Sequence, residues 1–338
     1  MSELSTQPSP VLLFDAMTAY QRTGVIKGAI ELDIFSAIGK GHQTPEAIAQ
    51  ACGVSERGAR ILCDYLAVMG FLTKEDVRYS LTRDSAVFLD RRSPAYLGGA
   101  VEFLGSSMLT EAFNDIAGAA RKGGTAISSE GSLAPDHPIW VKFARAMGAM
   151  SAMPAQAIVD MTGSEGATSL RVLDIAAGHG VYGIAFARKN PNALVTALDW
   201  PHVLDVAKEN AKAAGVIDRY KTIEGSAFDV EFGTGYDVIL LTNFLHHFDG
   251  PTCETLLRKV HAALADGGKA ITLEFVPNDD RISPPNSAMF SMVMLASTPS
   301  GDAHTFAELR GMFESAGFTA NELHQLPGGI QQVVISRK

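Results

Sequence analysis

The chain has little cysteine, no long apolar run and no excess of positive charge, and each shortage removes a class of protein. Cys52, Cys63 and Cys253 are its 3 cysteines in 338 residues, far apart and without a C-x-x-C pair. Neither a disulfide framework nor a zinc site is therefore expected. No apolar stretch approaches the roughly 20 residues that span a bilayer. The N-terminus, MSELSTQPSP, lacks the basic and apolar regions of a signal peptide, so a cytoplasmic protein without a membrane partner is expected. A net charge of −9 leaves no electrostatic footprint for nucleic acid or an anionic membrane. Histidines and acids lack clustered ligand spacing, so no metal is expected. What the chain does have is apolar content, 46% of its residues, over a length that suggests two domains or one large domain with an appendage.

The pattern turns on Arg171 to Trp200, which reads as strand, glycine turn, helix, strand. Val172 to Ala176 is apolar apart from Asp174, and Ala177 to Gly180 forms a tight turn. Val181 to Lys189 has helical spacing and stops at Asn190-Pro191. Leu194 to Leu198 is a second strand, ending on Asp199. The helix is the crossover that parallel strands require. Glycines at a helix N-terminus admit a ligand close to the backbone, and an acid after the second strand can accept hydrogen bonds from a ribose diol. Gly178 to Gly183 matches the dinucleotide fingerprint G-x-G-x-x-G. Asp174, however, would repel a pyrophosphate and would suit a cationic amine. S-adenosylmethionine carries an ammonium, a sulfonium and no phosphate, which favours a methyltransferase over an NAD-dependent dehydrogenase.

Residues 1–10 read as disordered. Val11 to Ile38 reads as two amphipathic helices broken near Gly24 or Gly28. Thr44 and Ser55 cap the next two helices, and a hairpin with a charged tip at Lys74 to Asp76 follows, a winged-helix layout. The second helix is neutral and mostly apolar, so packing or dimerisation is expected there rather than DNA reading. A connector at 84–98, helices over 99–122, a loop to Pro138 and a helix over Trp140 to Met161 come next. Met147, Met150 and Met153 on that helix read as core filling. Thr162 to Ser169 is a small-residue linker. After Asp199, strands at 220–227, 236–245 and 269–276 alternate with helices at 203–214, 253–264 and 287–296. Thr305 and Glu308 form a capping box, and two terminal strands close a doubly wound α/β sheet whose ligands lie beyond the strand C-termini.

These residues resemble the class I methyltransferases, and more narrowly the small-molecule O-methyltransferases with an N-terminal winged-helix dimerisation domain. That family includes plant caffeic acid, bacterial polyketide and bacteriochlorophyllide C-20 methyltransferases. The resemblance covers about residue 11 to 338. It implies a winged-helix dimerisation domain at 11–98, a helical connector at 99–168 and a catalytic domain at 169–338. LDIAAGHG matches the family's glycine loop, with Ala176 in place of the usual first glycine. Asp174, Gly178, Gly180, Asp199 and Trp200 are thereby implied to bind S-adenosylmethionine. Ser226, Ala227 and Phe228 stand in the adenine segment, where Ser226 replaces the usual Asp. FARAMGAMS resembles the helix over the methionine end and places Met147 and Ser151 there, while NFLHHFD adds Asn243 and puts His246 at the position of the catalytic base. LEFVP supplies Glu274 to orient that histidine, and an amide at 274 is expected to orient the ring in part. His247 is expected to point elsewhere. Phe290, Met289, Met292 and Met294 imply an apolar, aromatic small-molecule acceptor, and the family implies a homodimer. Carbon methylation of a planar, tetrapyrrole-like acceptor, a non-methylating reaction on the same fold and a ligand-binding regulator of transcription remain open at this level.

Overall fold

The computed structural model describes residues 8–162, 169–326 and 329–338. The expected linker after Thr162, and most of the expected disordered N-terminus, lie outside the described residues. The chain divides into two units after Gly105.

In the first unit α1 (Val11–Glu31) runs without a break through Gly24 and Gly28. A helical glycine costs only about 1 kcal/mol, which is not enough to interrupt 21 residues. The break comes instead at Asp33, where φ is 58°, before α2 (Ile34–Gly39). Thr44 caps α3 (Pro45–Cys52) by accepting from the Ala47 N–H, and Ser55 caps α4 (Glu56–Val68) by accepting from the Gly58 N–H. The hairpin β1 (Leu72–Glu75) and β2 (Arg78–Leu81) follows. The expected connector contains α5 (Arg83–Phe88), capped by Thr82, and α6 (Val101–Leu104) ends the unit. Ile34, Phe35, Ile48, Leu66 and Tyr79 form its core. Arg60 and Lys74 both pair with Asp64, so the second helix of the winged-helix pair spends basic charge internally.

The second unit opens with α7 (Ser107–Ala112), α8 (Ile116–Lys122) and the long α9 (Ile139–Thr162). Then come β3 (Leu170–Ile175), α10 (Val181–Lys189), β4 (Ala193–Asp199), α11 (Pro201–Ala213), β5 (Tyr220–Glu224) and β6 (Tyr236–Thr242). The remainder is α12 (Gly250–Ala263), β7 (Leu264–Glu274), α13 (Pro285–Ser297), α14 (Phe306–Ser315), β8 (Ala320–Gln325) and β9 (Gln332–Arg337). The seven strands lie in the order β5-β4-β3-β6-β7-β9-β8. The first five run parallel, and β9 and β8 close the edge antiparallel. One face packs on α9, α10 and α11 and the other on α12 and α14, the doubly wound arrangement expected. The strand order reverses between β3 and β6, where ligands of such sheets bind. Among the described residues no helix is long and apolar enough to cross a membrane.

Candidate active site

Asp174 is on the face of β3 that meets α10, fully buried. Its Oδ2 accepts from the Gly183 N–H at 3.0 Å. A Cβ at Gly183 would stand 3.0 Å from that oxygen and 2.8 Å from a Val195 methyl, so the third glycine of the motif lets helix meet sheet. Asp174 Oδ1 is buried with no hydrogen-bond partner. Burial, followed by the nearby Asp199 charge, pushes the Asp174 carboxyl up to about 8. The glycine loop carries the backbone the fingerprint predicts, with φ of 57° at Gly178 and 72° at Gly180. Ala176 adopts 53°, although it stands where the family has glycine.

Asp199 ends β4 beside that loop. Its Oδ2 accepts from the Gly178 N–H at 2.8 Å and its Oδ1 from the Trp200 N–H at 2.7 Å. Burial raises its carboxyl to about 6. Trp200 packs with Trp140, Val141, Ala144, Val203 and Val206. Ser226 Oγ accepts from the Phe228 N–H at 3.2 Å. The Lys259 ammonium gives its protons to the carbonyls of Ala227, Phe228 and Val230 at 2.8–3.1 Å, which fixes this segment from α12.

β6 stops at Thr242, three residues short of the expected end, because Asn243 turns to a φ of 57°. The Asn243 side-chain oxygen accepts from Gln331. Leu245 to His247 form a short 3-10 helix, and Glu274 at the end of β7 holds it. Glu274 Oε1 accepts from the backbone N–H groups of Phe244 at 3.0 Å, Leu245 at 2.9 Å and His246 at 3.4 Å. Its Oε2 pairs with His246 Nδ1. His246 is 4% exposed. Phe290 meets its ring edge-on at 4.8 Å and stacks on Phe275 at 4.0 Å. Of the α13 side chains expected around an acceptor, Met294 is buried and Met289 and Met292 are exposed; Phe290 is the one in contact with the histidine ring. His247 turns to Trp140, ring centroids 5.2 Å apart, with its Nδ1 unpartnered. Burial, and then His246, hold it well below the usual histidine range.

On α9, Met150 and Met153 are exposed, 42% and 80%, so they do not fill the core as expected; the inward face of this helix is Ala144, Ser151, Ala155 and Ile158. Ser151 Oγ meets His179 Nε2 at 2.8 Å. The Tyr182 hydroxyl lies between Ser151 and Asn243, and burial pushes it up to about 12. Sequence reading passed over His179, Tyr182 and Gln331. The signal for the first two was their place inside G-H-G-V-Y-G. Among the described residues no three His, Cys, Asp or Glu side chains gather as metal ligands would.

Two family models match, an O-methyltransferase domain over residues 110–319 and an O-methyltransferase dimerisation domain over residues 14–91. The chain belongs to the O-methyltransferase family. It is a methyltransferase that uses S-adenosylmethionine. The crystal structure of a Nostoc punctiforme PCC 73102 protein assigned to the O-methyltransferases is 55% identical, covers 98% of this chain and 100% of its own, and superposes with a TM-score of 0.95. The 3-hydroxy-5-methyl-1-naphthoate 3-O-methyltransferase of Streptomyces sahachiroi is 29% identical over 91% of this chain and 89% of its own. Human N-acetylserotonin methyltransferase, solved with S-adenosylmethionine, shares the fold at 20% identity and a TM-score of 0.85 over 99% of both chains.

The residues fit this cofactor. Asp174 Oδ1 is a buried acceptor awaiting a donor, as a ligand ammonium would be. Each Asp199 oxygen keeps a second lone pair for a ribose hydroxyl. At Gly178 and Gly180 the loop that opens α10 carries no Cβ between a ligand and its backbone.

Proposed function

We propose that the enzyme methylates a hydroxyl on an apolar aromatic small molecule, with His246 as general base. The observation that carries this is the double grip of Glu274 on His246: one carboxylate oxygen fixes the backbone of residues 244–246 and the other takes the ring Nδ1. A carboxylate on Nδ1 holds the proton there, leaves Nε2 as the basic lone pair, and stabilises the imidazolium once a hydroxyl proton is taken. A phenol, with a pKa of about 10, needs such a base at neutral pH. The edge of Phe290 beside the ring, and the aromatic acceptor in the naphthoate relative's name, support a flat apolar acceptor.

The methyl group comes from the cofactor's sulfonium. Asp174, Gly178, Gly180, Asp199, Trp200, Ser226, Ala227, Phe228, Asn243, Met147 and Ser151 would hold the cofactor. Asp174 serves the ammonium, Asp199 the ribose, Ser226 to Phe228 the adenine, and α9 the methionine end. The working enzyme is a homodimer through the N-terminal unit, in a reducing cytoplasm that suits three free cysteines.

The test is transfer of labelled methyl to a panel of naphthols and hydroxynaphthoates. His246→Ala should lower turnover by about 10²–10⁴-fold with unchanged S-adenosylhomocysteine affinity, and raising the pH should partly restore it as the acceptor ionises unaided. Wild-type turnover in His246→Ala at neutral pH would remove the histidine from the chemistry.

A further inference from the structure

His179 is held by groups from its own loop, from α9 and from α11. Its carbonyl accepts from Asn210 Nδ2 of α11 at 2.9 Å. Its Nδ1 lies 3.2 Å from the Val181 backbone N–H, a donor, so Nδ1 is the unprotonated nitrogen. The ring proton therefore sits on Nε2 and is donated to Ser151 Oγ, 2.8 Å away on α9. Ser151 in turn donates to the Met147 carbonyl at 3.3 Å. Phe143, two turns earlier, stacks on the imidazole with 18° between the planes. Gly148, between them, presents backbone: a Cβ there would be 3.6 Å from His179 Cβ. One stripe of α9 thus rests on the His179 side chain, and Ser151 at its end also meets the Tyr182 hydroxyl. His179 is 2% exposed, and burial holds it down at about 4, so it stays in the neutral tautomer this chain of bonds requires.

We propose that His179 is a positioning residue for the cofactor: its side chain is the strut that sets the separation of the glycine loop from α9, and with it the slot that receives the cofactor's amino-acid end. The inference rests on the cofactor placement proposed above. A glycine loop by itself needs no side chain at this position, since its turn is made by the Gly180 N–H donating to the Ala177 carbonyl at 2.8 Å. What the imidazole adds is reach, one acceptor toward its own loop and one donor toward another helix.

Two isosteres separate these functions. Asn can place its amide oxygen where Nδ1 lies and still accept from Val181, but it falls short of Ser151. Gln places its amide nitrogen near the Nε2 position and can reach Ser151, while giving up the loop bond. His179→Asn should bind S-adenosylhomocysteine about three- to ten-fold more weakly in calorimetry, the range for one lost hydrogen bond. Its KM for S-adenosylmethionine should rise alike while kcat at saturation stays near wild type, and amides of α9 should exchange faster in the ligand-free protein. His179→Gln should recover most of the affinity and protection. Wild-type affinity in His179→Asn, or weaker binding in His179→Gln than in His179→Asn, would overturn the proposal and leave the ring as part of the loop's own turn. Asp199→Ala serves as the control. If it too binds like wild type, the cofactor placement is at fault; if it alone weakens binding, the placement stands and the strut fails.

Discussion

Glu274 decides more at the scale of one residue than its place in the sequence suggests. The backbone N–H groups of residues 244–246 all donate to Oε1, and three such donors require an acceptor oxygen opposite them. In Glu274→Gln the amide oxygen must take that place, which turns the NH₂ group toward His246 Nδ1. Nδ1 then becomes the acceptor, the ring proton moves to Nε2, and the imidazole presents N–H where the acceptor hydroxyl needs a lone pair. The expected loss is the roughly 10²–10⁴-fold of a missing general base, comparable to His246→Ala and larger than that of an amide that orients the ring in part. Single-turnover rates of the two variants with one phenolic acceptor make the comparison; a Glu274→Gln rate within a few-fold of wild type would show that the carboxylate serves the backbone alone. Asp174, Asp199, His246 and Glu274 could be singled out in the sequence because each stands at or close to the C-terminal end of a strand. Their bonding was not legible, since the three N–H donors on Glu274 exist only after β6 breaks at Asn243. The partner of His179 was equally unreadable, as Ser151 lies 28 positions away.

Among the elements, α1 stands apart because its first turns have apolar side chains facing water. Leu12, Phe14, Met17 and Tyr20 are 62–82% exposed, and a helix keeps such a face only where something covers it. The dimerisation-domain match includes this helix from residue 14, so the expected cover is a second copy. Wild type should be a dimer in light scattering at micromolar concentration, and Leu12→Glu with Phe14→Glu should shift it to monomer. A monomeric wild type would refute the assembly. Helix starts were legible where Thr44, Ser55 and Thr305 cap by bonds three residues long. Where local and distant forces compete, sequence reading failed. Gly24 and Gly28 were too weak to end α1, and the strand expected through Leu245 yielded to a carboxylate from the neighbouring strand. Met150 and Met153 have the same composition as core residues but face outward.

Taken as a whole molecule, the second unit buries acids and imidazoles whose charged forms oppose folding in different pH ranges. The Asp174 and Asp199 carboxyls are raised in the fold, to about 8 and about 6, from an ordinary 3.8. The folded chain therefore holds protons the unfolded chain has lost, and stability from these two groups falls as pH rises from about 4 to those values. His179 is lowered to about 4 and His247 well below its ordinary 6.5. Their contribution is complete above 6.5 and is lost as pH falls below it. Between about 4 and 6 the two pairs offset each other. From about 6.5 to 8 Asp174 acts alone, with a slope approaching 1.4 kcal/mol per pH unit, roughly one proton. The ligand-free enzyme should therefore lose thermal stability across that interval, and Asp174→Asn should flatten the loss. The same proton links folding to function. An ammonium placed at Asp174 Oδ1 favours the carboxylate, so binding S-adenosylhomocysteine at pH 7 should expel close to one proton. Calorimetry in phosphate and in Tris, whose ionisation enthalpies differ widely, reads that release as a buffer-dependent binding enthalpy. An enthalpy equal in both buffers, with Asp174→Asn binding as tightly as wild type, would place the ammonium elsewhere and leave Asp174 as a neutral acid holding the turn of α10.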